Sequence, residues 1–310
     1  MPDIVITEFM DDAAVSSLAA DFDVHYDADL VDRPEAIATL AADARALIVR
    51  NRTRVTRELL QGAPALQCVG RLGVGLDNID LDACRGRGIE VLPATGANDA
   101  AVAEYVITGA LMLLRGAFLS SHRVAAGEWP RQQLSGREGG GKVLGLVGFG
   151  GIARQTARRA QALGLAVIAH DPYVPADDGA WGDWAERREH LDDVLAESDV
   201  VSLHVPLSDA TRHLIDARAL ARMRDDAVLI NAARGGVVDE TALAAALRAG
   251  RLAGAMLDVF EQEPLAAGSP LTGIPNLVLT PHIAGVTRES NVRVSSVTAR
   301  NVRAVLERQA

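Results

Sequence analysis

Residues 143–171 read VLGLVGFGGIARQTARRAQALGLAVIAHD, and the rest of the chain is organised around them. The pattern predicts a short apolar strand over Val143–Val147, a glycine turn, an amphipathic helix over about 152–163 and a second apolar strand ending at Asp171. The turn, Gly148-Phe149-Gly150-Gly151-Ile152-Ala153, has the G-x-G-x-x-G/A spacing. Gly148 permits the tight turn, Gly150 lets the backbone approach a pyrophosphate, and the small Ala153 lets the helix pack close to the strand. The free N–H groups at the helix start, around Gly151 and Ile152, face the anion. Asp171 stands roughly 20 residues further on, where an acidic residue grips a ribose diol. Alone, G-x-G-x-x-A marks any glycine-rich strand-to-helix turn; with both strands, the helix and the terminal Asp in place, it points to a dinucleotide. The same Asp171 would repel a 2′-phosphate, and Pro172-Tyr173 supply no arginine to hold one, so NAD is expected rather than NADP.

The bulk properties narrow the class. A chain of 310 residues is long enough for two domains with good cores. Its 49% hydrophobic and 23% charged content is that of an ordinary soluble globular protein. No run approaches a membrane span, and MPDIVITEFMDD has no basic region of the kind that opens a signal peptide. Cys68 and Cys84 form no C-x-x-C pair and no disulfide framework, which fits a reduced, cytoplasmic setting. A net charge of −10 argues against nucleic acid or an anionic membrane as partner. An anionic substrate must then be held by a local cluster of arginines. Lys142 is the only lysine, just before the glycine-turn strand, which leaves Schiff-base chemistry without a residue. No metal is expected at the site.

Residues 1–97 alternate short apolar runs (IVIT at 4–7, FDVHY at 22–26, ALIV at 46–49, LQCVG at 66–70, IEVL at 89–92) with helical patterns. That alternation implies a parallel sheet. Two loops stand at strand ends, where open sheets bind ligands: Arg50-Asn51-Arg52-Thr53-Arg54 and Arg71-Leu72-Gly73-Val74-Gly75. The glycines of the second could present consecutive N–H groups to a carboxylate. Equally, the arginines could be a solvated surface run and the glycines simple turns. Residues 98–118 predict a long helix, apolar on nearly all sides, with Asn98 as N-cap. Glu104 within it reads as a structurally paired carboxylate. Residues 120–142 look like an extended arm and 172–189 like a polar loop carrying Trp181 and Trp184. Six or so strands are expected in the second half, and 287–308 reads as a packing helix.

Three residues that could do chemistry follow strands in that half. Arg234 lies in NAARGG, Glu263 in EQEP, and His282 in TPHIAG. Each has a plain alternative as a surface arginine, a solvated acid or a loop histidine. Together the strings carry more. NAARGGVVDETALAAALRAGRLAGAMLDVFEQEP followed by NLVLTPHIAG, with HVPLSDATRHLID (204–216), GRLGVGLDNID (70–80) and the glycine turn, closely resembles the signature of the D-isomer-specific 2-hydroxyacid dehydrogenase family. The resemblance covers essentially the whole chain. It implies an α/β protein of two doubly wound parallel-sheet domains: a Rossmann NAD-binding domain (98–285) inserted into a flavodoxin-like substrate-binding domain (1–97 and 286–310).

Carried over, the resemblance implies a catalytic set of Arg234, Glu263 and His282. Hydride transfer at C2 of a 2-hydroxy acid requires a proton to move at the C2 oxygen, which histidine can do near neutral pH. Glu263 would orient the imidazole and favour its protonated form. Arg234 would hold the carboxylate and polarise the C2 oxygen. Val74 and Gly75 N–H groups would hold the rest of the carboxylate. Asp258 would contact the nicotinamide amide, with Pro206, Thr211 and Ala232 near the cofactor. In this family the position of Gly151 is commonly arginine, which bears on cofactor affinity and not on cofactor identity.

Arg50 and Arg71 match positions where phosphoglycerate-dehydrogenase-like members place arginines near the substrate's distal group, and Arg52 adds a cation. Three arginines need a second anion for balance, so a dianionic 2-hydroxy acid is expected: 3-phosphoglycerate, malate or sulfolactate. The chain also looks like the sulfolactate-dehydrogenase branch and is expected to lack a C-terminal regulatory domain. Relatives dimerise through the cofactor domain, and the helix and arm at 98–142 would suit a homodimer. The competing reading is a non-catalytic NAD(H)-sensing binding protein of the same fold.

Overall fold

Apolar runs flanked by helices on both sides become two all-parallel sheets, each buried on both faces. The structure, a computed structural model, describes residues 2–308. It divides into two units, Met1–Asn98 with Val286–Ala310, and Asp99–Gly285.

The first unit has strands β1 (Ile4–Ile6), β2 (Val24–Tyr26), β3 (Ala46–Val49), β4 (Cys68–Arg71) and β5 (Glu90–Pro93). Their order is β2-β1-β3-β4-β5, the flavodoxin-like order. Side chains alternate between faces, as a strand's two-residue period demands. Ile4, Ile6, Ala46 and Ile48 meet Leu18 of the helix Asp12–Ala19 and Val302 and Leu306 of the helix Arg288–Arg308. Val5, Leu47 and Val69 meet Ile37 and Leu60 of the helices Pro34–Ala41 and Arg57–Gln61. Both chain ends therefore build one sheet domain. Its strand order reverses between β1 and β3, so a crevice opens beyond their carboxyl ends.

The second unit has strands β6 (Val143–Val147), β7 (Ala166–His170), β8 (Glu186–Arg187), β9 (Val200–Leu203), β10 (Val228–Asn231), β11 (Gly254–Leu257) and β12 (Leu277–Leu279). Their order is β12-β11-β10-β9-β6-β7-β8, a Rossmann sheet with the reversal between β6 and β9. The helices Asp99–Arg115 and Gly151–Ala162 cover one face through Val106, Ala110, Ala153 and Ala157.

Several local expectations change. The long helix stops at Arg115, because Gly116 takes the left-handed φ of +63° that ends helices. Asn98 does not cap it: its buried Oδ1 meets no donor among the described residues. The arm at 120–142 is not wholly extended, since Ser121–Ala125 is helical. The loop at 172–189 is not simply polar either. It contains the edge strand β8, and Trp181 is buried with its ring stacked on Phe149 of the glycine turn, centroids 4.7 Å apart and planes within 8°. Glu104 is exposed and faces Arg159 at 3.4 Å. Cys68 and Cys84 are both buried and free, and burial pushes the Cys68 thiol up to about 12, which makes it unreactive. Among the described residues no single helix is long and apolar enough to cross a membrane.

Candidate functional site

The glycine turn lies at the sheet's reversal. Gly148 has φ +90°, and a Cβ there would stand 2.8 Å from the carbonyl oxygen of His204, which follows β9. Only glycine lets the ends of β6 and β9 meet so closely. The His204 imidazole lies 3.0 Å from Ser202 Oγ, and burial pulls its pKa down to about 4, so it is neutral at this junction. Gly150 caps the helix Gly151–Ala162, with open space where its side chain would be. Asp171 is bolted to the turn, its Oδ2 accepting the Phe149 N–H at 2.8 Å and its Oδ1 the Tyr173 N–H at 2.9 Å. Thr211 closes the loop after β9 by donating to the Pro206 carbonyl at 2.6 Å and accepting the Ser208 N–H at 2.8 Å. Ala232 follows β10. A helix N-terminus open to an anion, beside a carboxylate and without a cation on Pro172-Tyr173, fits NAD.

Gly151 has its own explanation. A Cβ there would collide with the carboxylate of Asp99, a group whose pKa burial raises. Any side chain at this position, including the arginine that the resemblance implies, would require the Asp99 carboxylate to move.

His282, Glu263 and Arg234 come from three loops of this unit. His282 Nδ1 lies 2.7 Å from Glu263 Oε2. An ionised carboxylate only accepts, so Nδ1 carries the proton of that bond and Nε2 is left to face a substrate. Burial is the largest single influence on Glu263 and raises its pKa. The His282 hydrogen bond and charge, the Phe260 N–H at 3.1 Å and the Arg234 charge together outweigh it and hold Glu263 below its usual value. Gly235 makes this proximity possible: a Cβ there would collide with the Phe260 carbonyl, so the Arg234 and Glu263 loops touch backbone to backbone. The Arg234 loop is itself tied down, with Asn231 Nδ2 donating to the Arg234 carbonyl at 2.9 Å. The arrangement pairs one imidazole nitrogen with a carboxylate, and the Arg234 charge acts on that same carboxylate.

Asp258, 1% exposed, works on this loop. Its Oδ1 accepts the Thr280 hydroxyl at 2.6 Å and the Ile283 N–H at 2.8 Å, and its Oδ2 accepts the Ala284 N–H at 2.8 Å. Its own carbonyl accepts the His282 N–H at 2.8 Å. The carboxylate that the resemblance assigns to nicotinamide thus holds the histidine loop from below.

In the first unit the arginine loop is braced by Glu8, a residue no motif marked. Glu8 is 4% exposed; its Oε1 accepts the N–H groups of Arg50 at 2.9 Å and Thr53 at 3.0 Å, and its Oε2 that of Arg52 at 3.2 Å. Asn78 Nδ2 donates to the carbonyls of Arg50 at 3.0 Å and Thr53 at 2.6 Å. The Arg50 guanidinium donates to Asn291 Oδ1 at 2.7 Å and lies 6.0 Å from the centre of the Phe9 ring. Burial lowers its pKa, and the Glu8 charge offsets part of that. Arg71 is buried and donates to the Leu72 carbonyl at 2.8 Å. The N–H groups of Val74 and Gly75 find no acceptor among the described residues. Arg52 differs from the other two: it is exposed and ion-paired with Asp32. The expected excess of three bare cations is therefore corrected, since Glu8 and Asp32 supply negative charge that the sequence reading left out. Glu8 was invisible because its partners lie 42–45 residues away in the chain.

Comparison with known proteins places the chain in a family. Residues 107–284 match the family model described as D-isomer specific 2-hydroxyacid dehydrogenase, NAD binding domain. The chain is 63% identical over 306 residues to a protein of Chromohalobacter salexigens named (S)-sulfolactate dehydrogenase, covering 99% of each. It is 40% identical over 308 residues to D-3-phosphoglycerate dehydrogenase 2, chloroplastic, of Arabidopsis thaliana, covering 99% of this chain and 49% of that one. The chain thus spans about half the length of that phosphoglycerate dehydrogenase. Among solved structures, the TT0316 protein of Thermus thermophilus superposes with a TM-score of 0.89 at 34% identity, covering 98% of this chain and 96% of the other. D-lactate dehydrogenase of Aquifex aeolicus, solved with NAD and lactic acid, gives 0.85 at 29% identity, covering 98% and 95%.

Proposed function

The chain belongs to the D-isomer-specific 2-hydroxyacid dehydrogenase family, as an NAD-dependent oxidoreductase, and from that premise we propose that its substrate is a dianionic 2-hydroxy acid of the sulfolactate kind. The observation that carries the proposal is the braced, half-buried Arg50 in the first unit, together with the resemblance to a sulfolactate dehydrogenase over nearly the whole chain. A second anionic group is what a fixed guanidinium selects for. The (S) label of that relative's substrate agrees with a D-series family. In sulfolactate the sulfur-bearing carbon outranks the carboxyl carbon, which reverses the descriptor without moving any atom.

We assign Gly148, Gly150, Gly151, Ile152 and Asp171 to the cofactor, with Pro206, Thr211 and Ala232 beside it. Bound NAD supplies the hydride acceptor or donor. The chain's own residues do the rest. His282 Nε2 gives a proton to the C2 oxygen during reduction and takes one during oxidation, while Glu263 holds Nδ1 and steadies the imidazolium. Arg234 binds the carboxylate and stabilises charge building on the C2 oxygen. Val74 and Gly75 N–H groups take the remaining carboxylate oxygen, and Arg50 and Arg71 the distal anion. Arg52, already paired with Asp32, has the weakest claim.

We also propose that the chain is a cytoplasmic homodimer joined through its NAD-binding unit. Phe118, Val124 and Trp129 expose apolar side chains on the segment after the long helix. The substrate proposal is tested by NADH consumption with sulfopyruvate, phosphohydroxypyruvate, oxaloacetate and pyruvate, with His282→Ala as control. The expected result is a kcat/KM for sulfopyruvate at least about tenfold above that for pyruvate, the scale of one charge-assisted hydrogen bond. Equal turnover of pyruvate and every dianion removes the proposal. No turnover of any of them favours the NAD-sensing alternative, which no observed feature otherwise supports.

A further inference from the structure

His282 has a φ of +53°, in the left-handed region that only a few per cent of residues other than glycine adopt, histidine more often than most. Such a conformation persists only where the surroundings over-determine it. Asp258 supplies the restraint through its carbonyl to the His282 N–H and its carboxylate to the next two N–H groups. The carboxylate must itself be held, and it is held by a relay. Thr280 donates its hydroxyl proton to Asp258 Oδ1 at 2.6 Å, and Tyr105 Oη lies 2.5 Å from Thr280 Oγ1. A threonine hydroxyl has one proton, already committed to Asp258, so the Tyr105 O–H must be the donor in the second bond. The direction along the chain of bonds is therefore set: Tyr105 to Thr280 to Asp258. Donation from Tyr105 makes the threonine hydroxyl a stronger donor, because linked hydrogen bonds polarise one another. Burial pushes the Tyr105 phenol up to about 12 against the Thr280 hydrogen bond, which lowers it, and the Asp258 charge adds to the rise, so the phenol keeps its proton at neutral pH.

We propose that Tyr105, on the helix Asp99–Arg115, is a positioning residue for His282, acting through Thr280 and Asp258 without touching substrate. The proposal rests on the assignment of His282 as proton carrier. The phenol is half-buried against the sheet, and every link of the relay lies within the second unit. Removing its hydroxyl leaves the ring's packing in place and takes away only the outermost donor. Thr280 is then free to rotate, Asp258 gains freedom, and the histidine loop loosens.

The test uses Tyr105→Phe, Thr280→Val and Thr280→Ser. Amide hydrogen exchange at Ile283 and Ala284, measured without substrate, is expected to quicken about tenfold in the first two variants. Exchange at the strand amides of β10 should stay unchanged. Thr280→Ser, which keeps the hydroxyl, should restore protection. In turnover, Tyr105→Phe should lower kcat about five- to tenfold and leave KM for NADH and for the 2-oxo acid within twofold. The double variant should be no slower than Thr280→Val alone, because both changes break one relay. Unchanged exchange at Ile283 and Ala284 overturns the proposal. So does faster exchange accompanied by unaltered kcat, or quickening spread equally over β10. If the wild-type chain turns over no 2-oxo acid, the functional assignment fails on its own, and exchange still decides whether Tyr105 braces the loop.

Discussion

In the first unit Glu8 reaches from the end of β1 to the loop after β3; in the second, Asp258 reaches from the end of β11 to the loop after β12. Each is a buried carboxylate that accepts three hydrogen bonds from a neighbouring strand's loop. What they hold differs. Glu8 lies under a run of arginines, and its charge acts on Arg50. Asp258 lies under neutral N–H groups and a hydroxyl, while His282 has Glu263 as a charge partner of its own. A carboxylate beneath a cationic loop sets both shape and charge; beneath a neutral loop it sets shape. Binding should therefore be the sensitive property in the first unit, and chemistry in the second.

The most severe way to break this division is His282→Gln. Loss of a general acid–base group should lower kcat by about 10²–10⁴, with the NADH dissociation constant, read by fluorescence, unchanged. A fall below tenfold would mean that another group moves the proton. Next comes Arg50→Met, which should raise KM for the dianionic oxo acid about 10- to 100-fold, the scale of one lost charge-assisted hydrogen bond. Pyruvate should be affected far less; an equal loss for both acids would sink the assignment of Arg50 to the distal anion.

The two braces can be compared directly. Glu8→Gln and Asp258→Asn each leave buried donors poorly matched and should cost about 1–3 kcal/mol in urea unfolding. Their kinetics should diverge, with KM carrying the Glu8 effect and kcat the Asp258 effect. Identical kinetic signatures would remove the distinction. The smallest effect is in acid. His204 titrates at about 4 in the folded chain against about 6.5 when unfolded. Between those values the unfolded chain binds a proton that the folded chain does not, so stability present above pH 6.5 is lost as pH falls. The loss from pH 6.5 to 5.5 should be about 1 kcal/mol and should vanish in His204→Asn. All three tryptophans lie in the second unit, so their fluorescence reports this unfolding there.

Trp181 illustrates what patterns leave out. The polar residues around it read as a solvent loop, yet its ring seals the back of the glycine turn against Phe149. The turn itself was legible because each of its constraints is local: a tight φ at Gly148, an open approach at Gly150, a small residue at Ala153. Nothing local distinguishes a loop tryptophan that packs from one that does not. Asn98 shows the converse, since a good capping residue by type finds no backbone donor where it actually sits.

From the linear order of residues came the alternation of strand and helix and the dinucleotide turn with its acidic partner, all read at fixed short spacings. Arg234, Glu263 and His282 came from the same order only as separate candidates after strands, and the family resemblance is what grouped them. Only the tertiary structure decided which side chains hold those groups in place. Glu8 stands 42 residues from Arg50, and Tyr105 stands 175 from Thr280. Such partners meet because strand order and register bring their ends together, and short-range periodicity carries no record of which strands become neighbours.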